Sequence, residues 1–150
     1  MREIKFRAIP KNRYDEDVDS ILDSIAFYTE CKGFDDTFVY GHLNGDYILG
    51  DTLDATEEYY NPSYWIKIDK DTIMQYTGLK DKNGTEVYEG DIVSWNNKIG
   101  YIGFLKQEMG YCIILKDTDF RLGHRNIGSG YDFNADIEVI GNIYENPELI

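Results

Sequence analysis

Residues 88–102 read Tyr88-Glu89-Gly90-Asp91-Ile92-Val93-Ser94-Trp95-Asn96-Asn97-Lys98-Ile99-Gly100-Tyr101-Ile102. Glu89-Gly90 is a tight turn, and Asp91–Trp95 is a run of strand formers. Asn96-Asn97 then turns the chain back into a second strand over Lys98–Leu105. The same punctuation continues on both sides. Asp81-Lys82-Asn83-Gly84 is a polar turn between Tyr76–Leu79 and Glu86–Tyr88, and Met109-Gly110 leads into Tyr111–Lys116. Residues 117–130 read as a polar, Gly-rich loop, and a last strand runs from Ile137 to Tyr144, with Pro147 closing the pattern. Short strands separated by Gly-rich turns predict a mainly β fold, with a small antiparallel barrel-like core, or a strongly curled sheet, over about 73–145.

Toward the start the pattern loosens. Ile4, Phe6 and Ala8 alternate with Lys5 and Arg7, which predicts a half-buried strand with a basic outer face, ended by Pro10 or left by it on an edge. Val18, Ile21, Leu22 and Ile25 repeat at helical spacing behind Asp15-Glu16-Asp17, so a short helix is expected over about 17–27; a strand over Ile25–Thr29 competes with it. Thr37–Tyr40 and Asp46–Leu49 flank His42-Leu43-Asn44-Gly45, and Asn-Gly between two β-rich runs signals a hairpin. Residues 50–62 are acidic and read as a loop, followed by a strand at Tyr64–Ile68. The expectation for 1–72 is therefore an irregular, partly helical, acidic part packed on the β core, the whole being a single domain.

Composition limits the function classes. With 42% hydrophobic residues the chain can build a core, and 13 Tyr suit half-buried pleated surfaces. The longest aliphatic run, Ile113-Ile114-Leu115, is far short of the roughly 20 residues of a membrane helix. No apolar stretch follows the opening residues, so the expected location is the cytoplasm, where Cys31 and Cys112 would be free thiols. The net charge of −13 is uneven: residues 1–13 balance at +4, residues 14–72 at −12 and residues 73–150 at −5. Such a field repels polyanions, so nucleic acid is an unfavoured partner.

Three stretches together carry a resemblance. They are Arg2–Ala8, the pair Gln75-Tyr76-Thr77-Gly78-Leu79-Lys80-Asp81-Lys82-Asn83-Gly84 and Tyr88-Glu89-Gly90-Asp91-Ile92-Val93, and Ile140-Gly141-Asn142-Ile143-Tyr144-Glu145-Asn146-Pro147-Glu148-Leu149. The chain resembles the YopX family of phage and prophage proteins over its whole length, departing at Ile9, where that family usually has Trp. Residues 11–60 match no motif of it. The resemblance implies a phage or prophage origin, a host-cytoplasmic setting and a β-barrel-like core in one YopX-like domain. It implies no activity, since the family as a whole has none assigned.

No local constellation reads as a catalytic centre, cofactor site or metal site. His42, His124, Cys31 and Cys112 do not stand at zinc spacing. Asp15-x-Asp17-x-Asp19 starts like a calcium loop but has Ser20 and Ala26 where Gly and Glu are needed; Asp117-x-Asp119 fails the same way at Leu122 and Gly128. Glu86, Glu89 and Asp91 alternate across a strand-turn-strand, which sends their side chains to different faces. Gly123, Gly128 and Gly130 lack the Lys-Ser or Lys-Thr of a phosphate loop, and Arg121, His124 and Arg125 read as solvating charges. Gly90 reads as a backbone requirement and Asp91 as an acceptor for local amides at the strand entry. Two functions remain. One is a non-catalytic interaction module that associates with itself or another protein. The other is a nucleic-acid-directed role, by an SH3-like face or by acidic mimicry of DNA.

Overall fold

The computed structural model describes residues 3–11, 37–106, 109–115 and 137–150. They fall into two compact units, one of Ile4–Gln75 and one holding Tyr76–Ile150. All strand pairing is antiparallel. No helix among the described residues is long and apolar enough to cross a membrane.

The first unit contains β1 (Phe6–Ala8), β2 (Val39–Asn44), β3 (Tyr47–Leu49), β4 (Thr52–Ala55), β5 (Tyr60–Pro62), β6 (Trp65–Lys67) and the beginning of β7 (Met74–Lys80). The sheet order is β6-β3-β2-β1-β7, with Arg7 opposite Tyr40 on one side and Met74 on the other. One face of this sheet buries Ala8, Val39, Ile48 and Ile66 together with Tyr64 and Ile68, and Phe6, Leu43 and Ile73 pack against them. The expected hairpin forms, but its turn is Gly45-Asp46, since Asn44 pairs with Tyr47. Only Gly45 of the two has positive φ (+58°), so the strands need one left-handed residue there rather than two.

Three sequence expectations are corrected in this unit. Residues 39–67 are strands, not an irregular part, and the helical turn described here is the short 3-10 segment Lys70–Thr72. The helix expected at 17–27 lies outside the described residues. Residues 50–62 are not a loop: β4 and β5 form an antiparallel ribbon with Thr52 opposite Pro62 and Ala55 opposite Tyr60. Finally, Arg7 does not face solvent. β1 is flanked by strands on both sides, and the Arg7 guanidinium lies under the Phe38 ring at 4.5 Å, with Nη2 3.6 Å from the Met74 sulfur. A planar, weakly hydrated cation stacked on an aromatic face tolerates such burial.

The second unit takes up β7 from Tyr76, pairs it with β8 (Glu86–Tyr88), and adds a sheet of order β11-β10-β9-β12. Those strands are β9 (Asp91–Trp95), β10 (Lys98–Leu105), β11 (Gly110–Leu115) and β12 (Ile137–Asn142). Asn96 and Asn97 both have positive φ, +47° and +63°, which gives the β9–β10 hairpin the twist that two-residue turns require. The core is Val87, Val93, Ile102, Ile113, Leu115 and Ile137. The barrel expectation is corrected as well. β11 and β12 stand at opposite edges of an open sheet, and four strands are too few to close around a filled interior.

Candidate functional site

The motif residues of the second unit converge on the turns that join its strands. Between Tyr76 and Lys80 the β7–β8 pairing slips by an irregularity. The Thr77 hydroxyl holds it, donating to the Val87 carbonyl at 2.7 Å and accepting from the Leu79 amide at 3.2 Å. Asp81 follows, buried. Its Oδ1 accepts the amides of Asn83 and Thr85 at 2.8 and 2.9 Å, and its Oδ2 accepts the Val139 amide at 2.9 Å. Burial on its own would raise the Asp81 pKa. The three amides and the neighbouring Lys82 charge outweigh it and hold the carboxyl below its usual range. A carboxylate fixed in this way organises backbone and has no proton to exchange near neutral pH.

The remaining motif positions follow the same logic. Gly90 carries φ +82°, its amide donates to the Ile102 carbonyl and its carbonyl accepts from Ile143, so the turn is tied to two strands' worth of chain. Asp91, fully buried, accepts the Tyr88 amide at 2.8 Å, as expected for an acceptor at a strand entry. Asn142 Oδ1 accepts from Tyr144 and Glu145 at 3.0 and 2.9 Å, while Asn146 Oδ1 accepts the Asn142 amide at 3.3 Å.

The acids weighed as a cation site do not share a face: Glu86 accepts the Tyr88 hydroxyl at 3.1 Å, and Asp91 is turned inward to an amide. Among the described residues no three His, Cys, Asp or Glu side chains are grouped to hold a metal ion. His42 is exposed on β2, and Cys112 is buried on β11. Cys31, His124, Arg121, Arg125, the 117–130 loop and the Asp15 and Asp117 runs lie outside the described residues.

The family model for YopX protein matches residues 38–150. The chain belongs to the YopX family. In solved structures it is similar to protein EF1440 from Enterococcus faecalis, known from a crystal structure, with 24% identity over 99% of both chains and a TM-score of 0.47. No curated protein matches. Within the YopX motifs of the second unit, Thr77, Asp81, Asp91 and Asn142 are thus turn clamps whose side-chain oxygens are spent on backbone.

The second unit exposes Phe104, Met109, Ile140, Tyr144 and Ile150 at separate places in sequence, whereas in the first unit exposed residues run without a break from 51 to 61. β3 and β6 pair as Tyr47 with Lys67 and Leu49 with Trp65, and the ladder continues past the sheet through Gly50–Tyr64 and Asp51–Ser63 into the β4–β5 ribbon. Residues 47–67 are therefore one long hairpin. Its root is packed by Ile48, Tyr64 and Ile66, and its outer part, residues 51–61, is exposed at every position. Gly50 marks the change, because a Cβ there would come within 2.7 Å of the Tyr64 ring, which crosses the root to donate to the Tyr40 carbonyl. Leu53 is 63% exposed, Tyr59 52%, Tyr60 49% and, at the root, Trp65 62%. The tip closes on Thr56, whose hydroxyl accepts the Glu58 and Tyr59 amides, and the Tyr59 phenol donates to Asp54. That bond raises the Tyr59 pKa, since the carboxylate favours the protonated phenol.

Beside the root lies an open cleft of about 280 Å³ lined by Lys11, Asp46 and Lys67–Lys70. Lys70 pairs with Asp46 at 2.5 Å, and among the described residues Lys11 and Lys67 make no ion pair. Sequence reading passed over this hairpin because 50–62 lacks the alternation of a half-buried strand. The usable signal was Thr52-Leu53 and Tyr59-Tyr60 on either side of Thr56, good strand formers around a turn.

Proposed function

We propose that this YopX protein is a non-catalytic interaction module of phage or prophage origin, working in the host cytoplasm through surface contacts with itself or with another protein. The observation that carries this reading is the contrast in exposure on the 47–67 hairpin. Leu53, Tyr59, Tyr60 and Trp65 are each about half exposed or more on this β ribbon and its root. Aromatic side chains presented this way give large contact area at low entropic cost and are enriched at interface centres. The buried polar groups support the same reading from the other side. Asp81, Asp91, Thr77 and Asn142 are engaged by backbone, so these motif groups form no acid, base and nucleophile set among the described residues.

Sedimentation equilibrium of the purified chain at rising concentration tests the self-association within this reading. The expected result is a mass of at least a dimer in the micromolar range at low salt. A monomer throughout the accessible concentrations would remove self-association.

A further inference from the structure

We infer that the self-association proposed above is a reciprocal dimer in which the 47–67 hairpins of two copies lie antiparallel, the tip of each against the root of the other. The inference rests on that interaction-module reading and specifies its partner and surface.

The charges on the hairpin are segregated by position. The outer part carries Asp51, Asp54, Glu57 and Glu58 and no Lys or Arg. The root is flanked by Lys11, Lys67 and Lys70 together with Asp46 and Asp69. Lys70 is held by Asp46, and among the described residues Lys11 and Lys67 make no ion pair, so these two carry the basic character of the root. Within one copy the tip acids Glu57 and Glu58 cannot reach Lys11 or Lys67. From Glu58 to Lys67 the ribbon runs roughly 25–30 Å at about 3.3 Å per residue, well beyond the roughly 10 Å over which exposed charges act at 0.1 M salt. Turning a second hairpin by 180° brings each acidic tip onto a basic root. This is the self-complementary relation that a two-fold axis demands, in which a patch on one copy meets its counterpart on the other twice over.

The apolar surface is spread to suit that arrangement. Leu53, Tyr59 and Tyr60 lie toward the tip, and Tyr47 and Trp65 lie at the root. At their exposures the five side chains offer roughly 600 Å² per copy, taking about 200–250 Å² for a full aromatic. Tyr59 and Tyr60 are successive positions on the ribbon and point to opposite faces, so a partner on one face covers only part of this area and the charges must supply the rest of the pairing. A two-stranded ribbon that projects alone into water is marginal, so a docked partner also accounts for its persistence.

Charge reversal on each half tests the geometry. One variant carries Glu57→Lys and Glu58→Lys, and the other carries Lys11→Glu and Lys67→Glu. All four positions are exposed, so far-UV circular dichroism of each variant should match the wild type, and any fall in melting temperature should be no more than loss of the dimer accounts for. Each variant alone should dimerise with a dissociation constant at least about tenfold higher than that of the wild type in low salt. An equimolar mixture should return to the dimer, since a basic tip then meets an acidic root and an acidic tip meets a basic one. If both variants dimerise as the wild type does, or if the mixture stays monomeric while the wild type is dimeric, the hairpin arrangement is overturned and self-association stands on another surface. If the wild type is itself monomeric at every concentration, self-association and the arrangement fall together.

Discussion

The two units spend polar chemistry in opposite directions. In the second, carboxylates and amides are drawn inward, and each motif residue closes a turn or ties one strand end to another. In the first, the charged and aromatic groups of the 47–67 hairpin are turned outward along an element that packs only at its root. Buried polar side chains cost free energy unless fully bonded, so their placement is dictated by the fold. Exposed aromatics contribute little to folding and are free to answer to a partner. The YopX motifs of the second unit therefore report on how the chain is held, while the proposed contact surface lies in a stretch with none of the motif runs.

The largest expected effect that sharpens this contrast is at Asp81. Replacing it by Ala strands the Asn83, Thr85 and Val139 amides, and the cost should be about 2–4 kcal/mol, read as a lowered urea midpoint. Gly90→Val comes next. At φ +82° a β-branched residue is strained, and unfolding should become easier by about 1–3 kcal/mol. An unshifted melt for either variant would mean that the turns of the second unit are not the clamps described.

Acid should act through the same carboxylate. Because the folded pKa of Asp81 is depressed, its contribution is complete above the unfolded value near 3.9, and it is lost as pH falls through the lower folded value. Thermal melts between about pH 6 and 2 should show stability falling at the acid end, with a shallower fall in Asp81→Asn, which has no proton to take up.

Substitutions on the outer hairpin invert the pattern. Leu53→Ser and Tyr60→Ser, made together, should move the folding free energy by no more than about 0.5 kcal/mol each while raising the dissociation constant of the dimer. A large loss of stability would place these residues in the fold and break the comparison. The smallest expected signal is with nucleic acid. At net charge −13, labelled single- and double-stranded DNA and RNA should give no fluorescence polarisation change at micromolar protein in low salt. Salt-sensitive binding would instead favour a face of the protein that reads nucleic acid.

The legible parts of the sequence were those set by local chemistry. Asn96-Asn97, Glu89-Gly90 and Asp81–Gly84 declared their turns because few residues fit such backbone angles, and Asp91 was readable as a local amide acceptor. What escaped depended on distant chain. Arg7 looked solvent-facing by alternation and is buried because Phe38 and Met74, far away in sequence, cover it. The curled second half suggested a closed barrel, but closure depends on which edges meet, and β11 and β12 do not. The outer hairpin escaped for the converse reason. Both of its faces are wet, so it has no apolar-polar alternation to read, and its strands are fixed by the ladder that begins at Tyr47 and Lys67.

Asp81 also has a consequence in time. Two of its bonds are to amides two and four residues ahead, and the third is to Val139, 58 residues away. The local pair can form as fast as a hairpin closes, in about 1–10 μs. The third must wait until the chain has brought β12 alongside β9, a long loop closure of the kind that sets folding speed. One side chain therefore serves both the earliest and the latest steps of the second unit's assembly. Proline at Asn83 or Thr85, which removes the donated amide, should alter how quickly folding starts, whereas proline at Val139 should mainly alter how quickly the finished unit comes apart.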